Sequence, residues 1–285
     1  MSFRLALIQM AVTGGDPATN LSCAEKLGAE ACAAGADFLL LPEALDLGWT
    51  HPSALTAGEP VPGGEPCQRL ADLAARHSVY LCAGLTEKDG DRVYNTAVVF
   101  DRSGTLLLKH RKLNELEIGH VCYDQGGSLV VCPTEFGMLG VMICADAFAR
   151  DEVISRTLGY LGADFILSPC AWAVPADHDQ QQEPYGALWK DVYGRVAREF
   201  SIWVAGCSNV GTMEAGPWEG RKCIGCSLVT DPRGASVLQG PYDQTALLYQ
   251  EIEPVPRPTR GDGWAMLDES SRTGALARRF NKDND

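Results

Sequence analysis

The chain has 285 residues, 46% of them hydrophobic and 21% charged. That is the composition of a packed globular protein and excludes disordered, collagen-like and coiled-coil classes. With 24 Lys and Arg against 37 Asp and Glu the net charge is −13, which disfavours nucleic acid and anionic membranes as partners.

The opening residues 1–12 read as a first strand, since they are too short for a signal peptide and lack its small-residue cleavage site. Apolar runs stay below the roughly 18 residues of a membrane span, so the expectation is a soluble cytoplasmic chain. A helix follows over 17–34, with Asp16 as cap and Pro17 in the first turn. The apolar run from Gly35 to Pro42 then reads as a buried strand ending in Glu43. A helix over 65–77 leads to strands 79–87 and 93–101, joined by a hairpin at 88–91, and a turn at 102–104 opens a strand over 105–112. Residues 128–144 read as two strands joined at 135–137. A helix over 152–162 runs into Gly162-Ala163-Asp164-Phe165, repeating the phrase Gly35-Ala36-Asp37-Phe38 at a distance of 127 positions. The echo points to two similar β-α-β halves. A helix over 183–199, strands over 202–209 and 223–230, the turn Asp231-Pro232-Arg233-Gly234 and closing strands to 252 complete a domain spanning 1–253. Residues 254–285, rich in Pro, Gly and charge, are expected to form a tail crossing the surface or a neighbouring subunit. Helices alternating with strands, some in hairpins, require mixed sheets stacked face to face with helices outside.

Eleven cysteines are scattered through apolar segments. Cys223 and Cys226 have no second pair to complete a zinc site, and the pattern suits a reducing compartment in which Cys is a small hydrophobe. Cys144 stands apart. It ends a buried strand and is followed by small and polar residues, on the rim where α/β sites gather and where free backbone amides can hold an oxyanion. Glu43, directly after four apolar residues, is a carboxylate whose burial raises its pKa toward that of a general base. Lys112, at the end of its strand, can oppose a developing negative charge. Taken singly, each residue is as well explained by packing, capping or a solvated strand end.

Leu41-Pro42-Glu43 with Gly48-Trp49, His110-Arg111-Lys112, and Gly140 to Asp146 stand in the order of the three signatures of the nitrilase superfamily of carbon–nitrogen hydrolases. Tyr94-Asn95-Thr96-Ala97, Ser168-Pro169 with Trp172, Arg195, Ala197, Glu199, Ala205-Gly206 and the 231–234 turn add to the likeness, which covers about residues 4–252. The resemblance implies an α-β-β-α sandwich, usually dimerised into a longer stack, so the expected assembly is a homodimer or higher homo-oligomer. It also implies a Glu–Lys–Cys triad of Glu43, Lys112 and Cys144, with the Ala145 amide beside Lys112 at the oxyanion, acting on a small-molecule amide without metal or organic cofactor. The sequence departs from the family at 147–152, which lacks the usual aromatic and Pro-Glu, and at Asn114, where His is common. A further family glutamate after the lysine is matched best by Glu117, then by Glu115. Trp49, His120, Tyr123 and Trp172 are expected to line the pocket, and two tryptophans favour an apolar or flat acyl group. N-carbamoyl compounds and nitriles stay open as substrates. So do a catalytically silent binding scaffold and a redox sensor pairing Cys144 with Cys170 or Cys207.

Overall fold

The structure is a computed structural model that describes residues 1–256; most of the expected 254–285 tail lies outside the described residues. One six-stranded sheet holds β1 (Phe3–Gln9), β2 (Phe38–Leu40), β3 (Tyr80–Asp89), β4 (Arg92–Phe100) and β5 (Leu106–Arg111). The second is built on β6 (Val131–Thr134), β7 (Gly137–Val141) and β8 (Phe165–Cys170). A small sheet comprises β9 (Ala173–Val174), β11 (Val210–Thr212) and β12 (Lys222–Ile224). Strands β10 (Trp203–Ser208), β13 (Leu228–Thr230) and β14 (Ser236–Gln239) complete the second sheet, and β15 (Ala246–Ile252) completes the first. The helices are α1 (Pro17–Ala33), α2 (Ala54–Ala57), α3 (Glu65–His77), α4 (Val153–Tyr160) and α5 (Ala187–Phe200).

Strand order is β15-β1-β2-β3-β4-β5 in one sheet and β14-β13-β10-β8-β7-β6 in the other. Both are mixed. β1, β2 and β3 run parallel, as do β7, β8 and β10, and the outer strands are antiparallel. The expected stacked sandwich is the observed one. Between the sheets the rings of Phe3, Phe38, Phe136 and Phe165 meet, Phe3 lying 4.5 Å from Phe136 and 5.0 Å from Phe165. Most of α1 and α3 packs on the other face of the first sheet, where Leu21, Leu39, Leu70, Leu73 and Leu81 are buried together.

The repeated Gly-Ala-Asp-Phe phrase does the same structural job twice. Gly35 and Gly162 take φ of +87° and +101° after α1 and α4, a conformation glycine adopts without strain. Asp37 grips the start of β1 with its amide on Arg4 O at 2.9 Å and its carboxylate accepting Arg4 N–H at 3.0 Å. Asp164 grips β7 in the same way, through Met138 O and N, both at 2.6 Å. Phe38 and Phe165 then enter the core edge to face, 6.3 Å apart. Equivalent central strands from two β-α-β halves thus meet across the sandwich.

The termini of most elements fall within a few residues of expectation, including the Asp16 cap, whose carboxylate accepts the Thr19 N–H at 3.1 Å. Residues 223–230 differ. They are two strands in two sheets, broken where Gly225 and Cys226 take φ of +66° and +58°. The break has a cause: a side chain at Gly225 would strike Gln9, whose Oε1 accepts the Ser227 N–H at 2.9 Å and whose Nε2 donates to Pro241 O at 2.8 Å. One buried glutamine therefore holds the chain as it crosses between sheets.

Candidate active site

Three side chains converge from three strand ends, two in the first sheet and one in the second. Glu43 lies beyond β2, with its amide donating to Cys170 O at 3.2 Å across the sandwich. Close approach of β3 requires glycine at 84, because a Cβ there would come within 2.5 Å of the Glu43 Cα. Lys112 follows β5, its amide held by Asn95 O at 2.9 Å on β4. Cys144 follows β7 at the start of a 3₁₀ turn, Cys144–Phe148, with φ of +45°. A non-glycine residue in that region carries strain that the surroundings must hold in place.

Asp146 supplies the hold. Its carboxylate accepts N–H groups from Ile143 at 2.9 Å, Leu113 at 3.0 Å and Asn114 at 2.7 Å, and its Oδ2 lies 2.8 Å from Nε2 of buried His110. Burial opposes the negative charge, but His110 and the backbone amides outweigh it and keep the carboxyl below its usual range. This buried group ties the Cys144 turn to the segment after Lys112. Asn114 reinforces the tie by donating from Nδ2 to Ala145 O at 2.6 Å. The Cys144 amide donates to Ser168 Oγ at 3.1 Å.

Glu43 is 1% exposed and Lys112 2% exposed. Lys112 Nζ donates to Glu43 Oε1 at 2.7 Å and to Glu115 Oε1 at 3.0 Å. Asn95 Nδ2 donates to the same Glu43 oxygen at 2.6 Å and to Glu115 Oε2 at 3.2 Å. Burial raises the Glu43 carboxyl above the ordinary glutamate value, Lys112 works against that and the charge of Glu115 adds to it. For Lys112, burial alone would lower the pKa, yet the two carboxylates prevail and hold the ammonium well above its ordinary value. Burial, contact with Cys170 and the charge of Glu43 push the Cys144 thiol up, while Lys112 pulls it down. The resting sulfur is therefore a neutral thiol beside a carboxylate of raised basicity and a fixed cation.

Glu43, Lys112, Cys144 and Ala145 line one cavity of about 170 Å³. Trp49 and Trp172 line it as well; the Lys112 ammonium sits 5.4 Å from the Trp49 ring centre. Trp172 stacks on Trp189 at 4.6 Å, and Trp189 donates from Nε1 to the Tyr185 hydroxyl at 2.8 Å. Phe148, Tyr185, Trp189 and Trp218 complete the aromatic wall. None of these four stood out from the sequence, since an aromatic in a helix or loop carries no local mark of facing a cavity.

Other sequence candidates fall elsewhere. Tyr123 is buried in the apolar cluster that also holds Trp49, its hydroxyl accepting the Thr50 N–H at 3.4 Å. His120 is exposed, with Nδ1 3.3 Å from Tyr123 O. Neither lines the cavity; both support the loop that backs Trp49. Glu117 begins an exposed 3₁₀ turn, so Glu115, ranked second by sequence, is the glutamate that reaches Lys112. Cys170 and Cys207 are fully buried on β8 and β10, and all eleven cysteines are free thiols.

Comparison with known proteins follows the same lines. The carbon-nitrogen hydrolase family model matches residues 4–257. The chain is 33% identical over 234 residues to a nitrilase of Pyrococcus abyssi, covering 81% of this chain and 82% of the relative. It is 28% identical to the omega-amidase NIT2 of Mus musculus, over 88% and 89% of the two chains. The fold resembles that of Saccharomyces cerevisiae Nit3, of the nitrilase superfamily, with a TM-score of 0.76 at 23% identity over 89% and 90% of the chains.

Proposed function

The chain belongs to the carbon–nitrogen hydrolase family, and on that premise we propose that it hydrolyses a small amide through a thioester on Cys144. The observation that carries this reading is the buried Glu43–Lys112–Glu115 cluster sharing one cavity with Cys144. The omega-amidase relative favours an amide over a nitrile as substrate.

In this reading Glu43 takes the thiol proton of Cys144 as the sulfur attacks the amide carbonyl carbon. A neutral resting thiol makes such a base necessary, and burial makes Glu43 a stronger one. The carbonyl oxygen, now negative, is met by the Lys112 ammonium and the Ala145 amide. Removal of one such donor typically slows the reaction by about 10²–10³-fold. Glu43 hands its proton to the departing nitrogen, which leaves as ammonia or an amine, and the acyl group stays on sulfur. Water, deprotonated by Glu43, then attacks the thioester carbon; the C–S bond breaks, Glu43 returns the proton to the departing sulfur, and the carboxylic acid leaves with the thiol restored. Glu115 and Asn95 act by holding Glu43 and Lys112 in register. Eleven free cysteines support a reducing, cytoplasmic setting. The exposed apolar Val153, Tyr160 and Leu161 on and after α4 support a homodimer that covers them. Among the described residues no helix is long and apolar enough to cross a membrane.

The test is ammonia release from a panel of primary amides, N-carbamoyl compounds and nitriles. We expect turnover of amides, and a Cys144→Ala variant that melts like the wild type while losing at least about 10³-fold in rate. Turnover surviving in Cys144→Ala, or silence across the panel, contradicts the reading.

A further inference from the structure

We propose that the cavity accepts amides whose acyl group is uncharged and apolar, of roughly benzene-ring bulk, and discriminates against acyl chains that end in a carboxylate. The inference rests on Cys144 as the attacking group and adds the class of substrate.

Size sets the first limit. A cavity of about 170 Å³ is close to the roughly 150 Å³ that admits a benzene ring. The wall sets the second. Four of the chain's six tryptophans border the space, joined by Phe148 and Leu188. Such a surface gains by covering apolar groups and offers little to a charge. Charge sets the third limit. Among the described residues that line the cavity, Lys112 is the sole cation, and two carboxylates, Glu43 and Glu115, already hold its ammonium. Arg221 stacks over the Trp218 ring at 4.1 Å and is not among the lining residues. A substrate carboxylate would therefore leave water, find no free cation on the wall and meet a cluster in which acids outnumber bases.

The experiment compares two amides of nearly equal shape, 5-methylhexanamide and glutaramate, which differ in an isopropyl against a carboxylate end. With wild-type protein we expect kcat/KM for 5-methylhexanamide to exceed that for glutaramate by at least about 100-fold. In parallel, quenching of the cavity tryptophans in Cys144→Ala reads binding without chemistry and should follow the same order. Leu188 is 52% exposed, so the fold tolerates a larger residue there. Leu188→Arg should move the ratio at least about tenfold toward glutaramate. Glutaramate hydrolysed or bound as well as its neutral counterpart overturns the substrate class and leaves the hydrolase reading intact. Ammonia from neither amide, with binding that still favours the neutral one, overturns the hydrolase reading and keeps the selectivity of the cavity. Loss of both turnover and discrimination overturns both.

Discussion

In the proposed mechanism Glu43 gains and loses a proton within reach of the Lys112 cation, and its neighbours fix where that happens. Burial is the largest influence raising its pKa above 4.5, and the charge of Glu115 raises it further. Because Glu43 must start unprotonated, kcat/KM should fall as pH drops through a value above the ordinary glutamate range. Glu115→Gln removes one raising influence, so the acid limb should move to lower pH. It also leaves Lys112 with one carboxylate partner, and kcat should fall about 10- to 100-fold. A rate–pH profile measured for both proteins checks this, and an unmoved acid limb would count against Glu115 acting on Glu43. Singly, Glu43, Lys112 and Cys144 read as packing, capping or solvated strand ends; the order of the three segments that carry them, matching the signatures of the nitrilase superfamily, is what singled them out. It did not separate Glu115 from Glu117. Both follow Lys112 within five positions, and the choice is made by a tight loop in which Glu115 Oε1 also accepts the Leu116 N–H at 2.9 Å.

At the level of elements, the loops that place the candidate site are held by buried carboxylates. Asp146→Ala would strip an acceptor from the amides of Ile143, Leu113 and Asn114 and from His110. Leaving such groups unpaired costs about 1–3 kcal/mol each, so the variant should melt well below the wild type and lose activity together with stability. Thermal unfolding followed by circular dichroism measures the first effect. Asp46 holds the loop after Glu43 by accepting the Thr86 N–H at 3.0 and 3.1 Å. Burial pushes its pKa up to about 7 from 3.8. The folded state thus favours the protonated form, and the stability it confers is complete below about pH 4 and lost as pH rises through 7. Asp46→Asn, fixed in the neutral state, should show a smaller fall in Tm between pH 4 and pH 7 than the wild type. The segment Gly140 to Asp146 was visible as a motif, but the role of Asp146 was not, because its partners Leu113 and Asn114 come from another sheet's loop. The same limit hid the break in 223–230, whose cause is Gln9, more than two hundred residues away.

On the scale of the molecule, the site exists only while two sheets stay in register, since Glu43 and Lys112 come from one and Cys144 from the other. Phe165 sits where the halves meet. Phe165→Ala should cost about 3–5 kcal/mol and lower Tm with an undivided unfolding transition, which differential scanning calorimetry would register. Two separate transitions would mean that the halves fold independently. The layered architecture was legible from the alternation of helices and strands and from the hairpin turns, and the Gly-Ala-Asp-Phe echo marked the paired central strands. Strand order was not legible, because β15 pairs with β1 and β13 with β10 through contacts that no local pattern records. For the same reason the aromatic wall, gathered from five distant segments, emerges only when the sheets are stacked.

The central claim is a covalent bond between substrate and one sulfur. Wild-type protein mixed with 5-methylhexanamide, quenched in acid within its first turnovers and mapped by mass spectrometry, should carry the acyl group on the peptide containing Cys144, at the mass of the amide less ammonia. Continued release of ammonia with Cys144 unmodified in every quenched sample, or the acyl group on another residue, would contradict it.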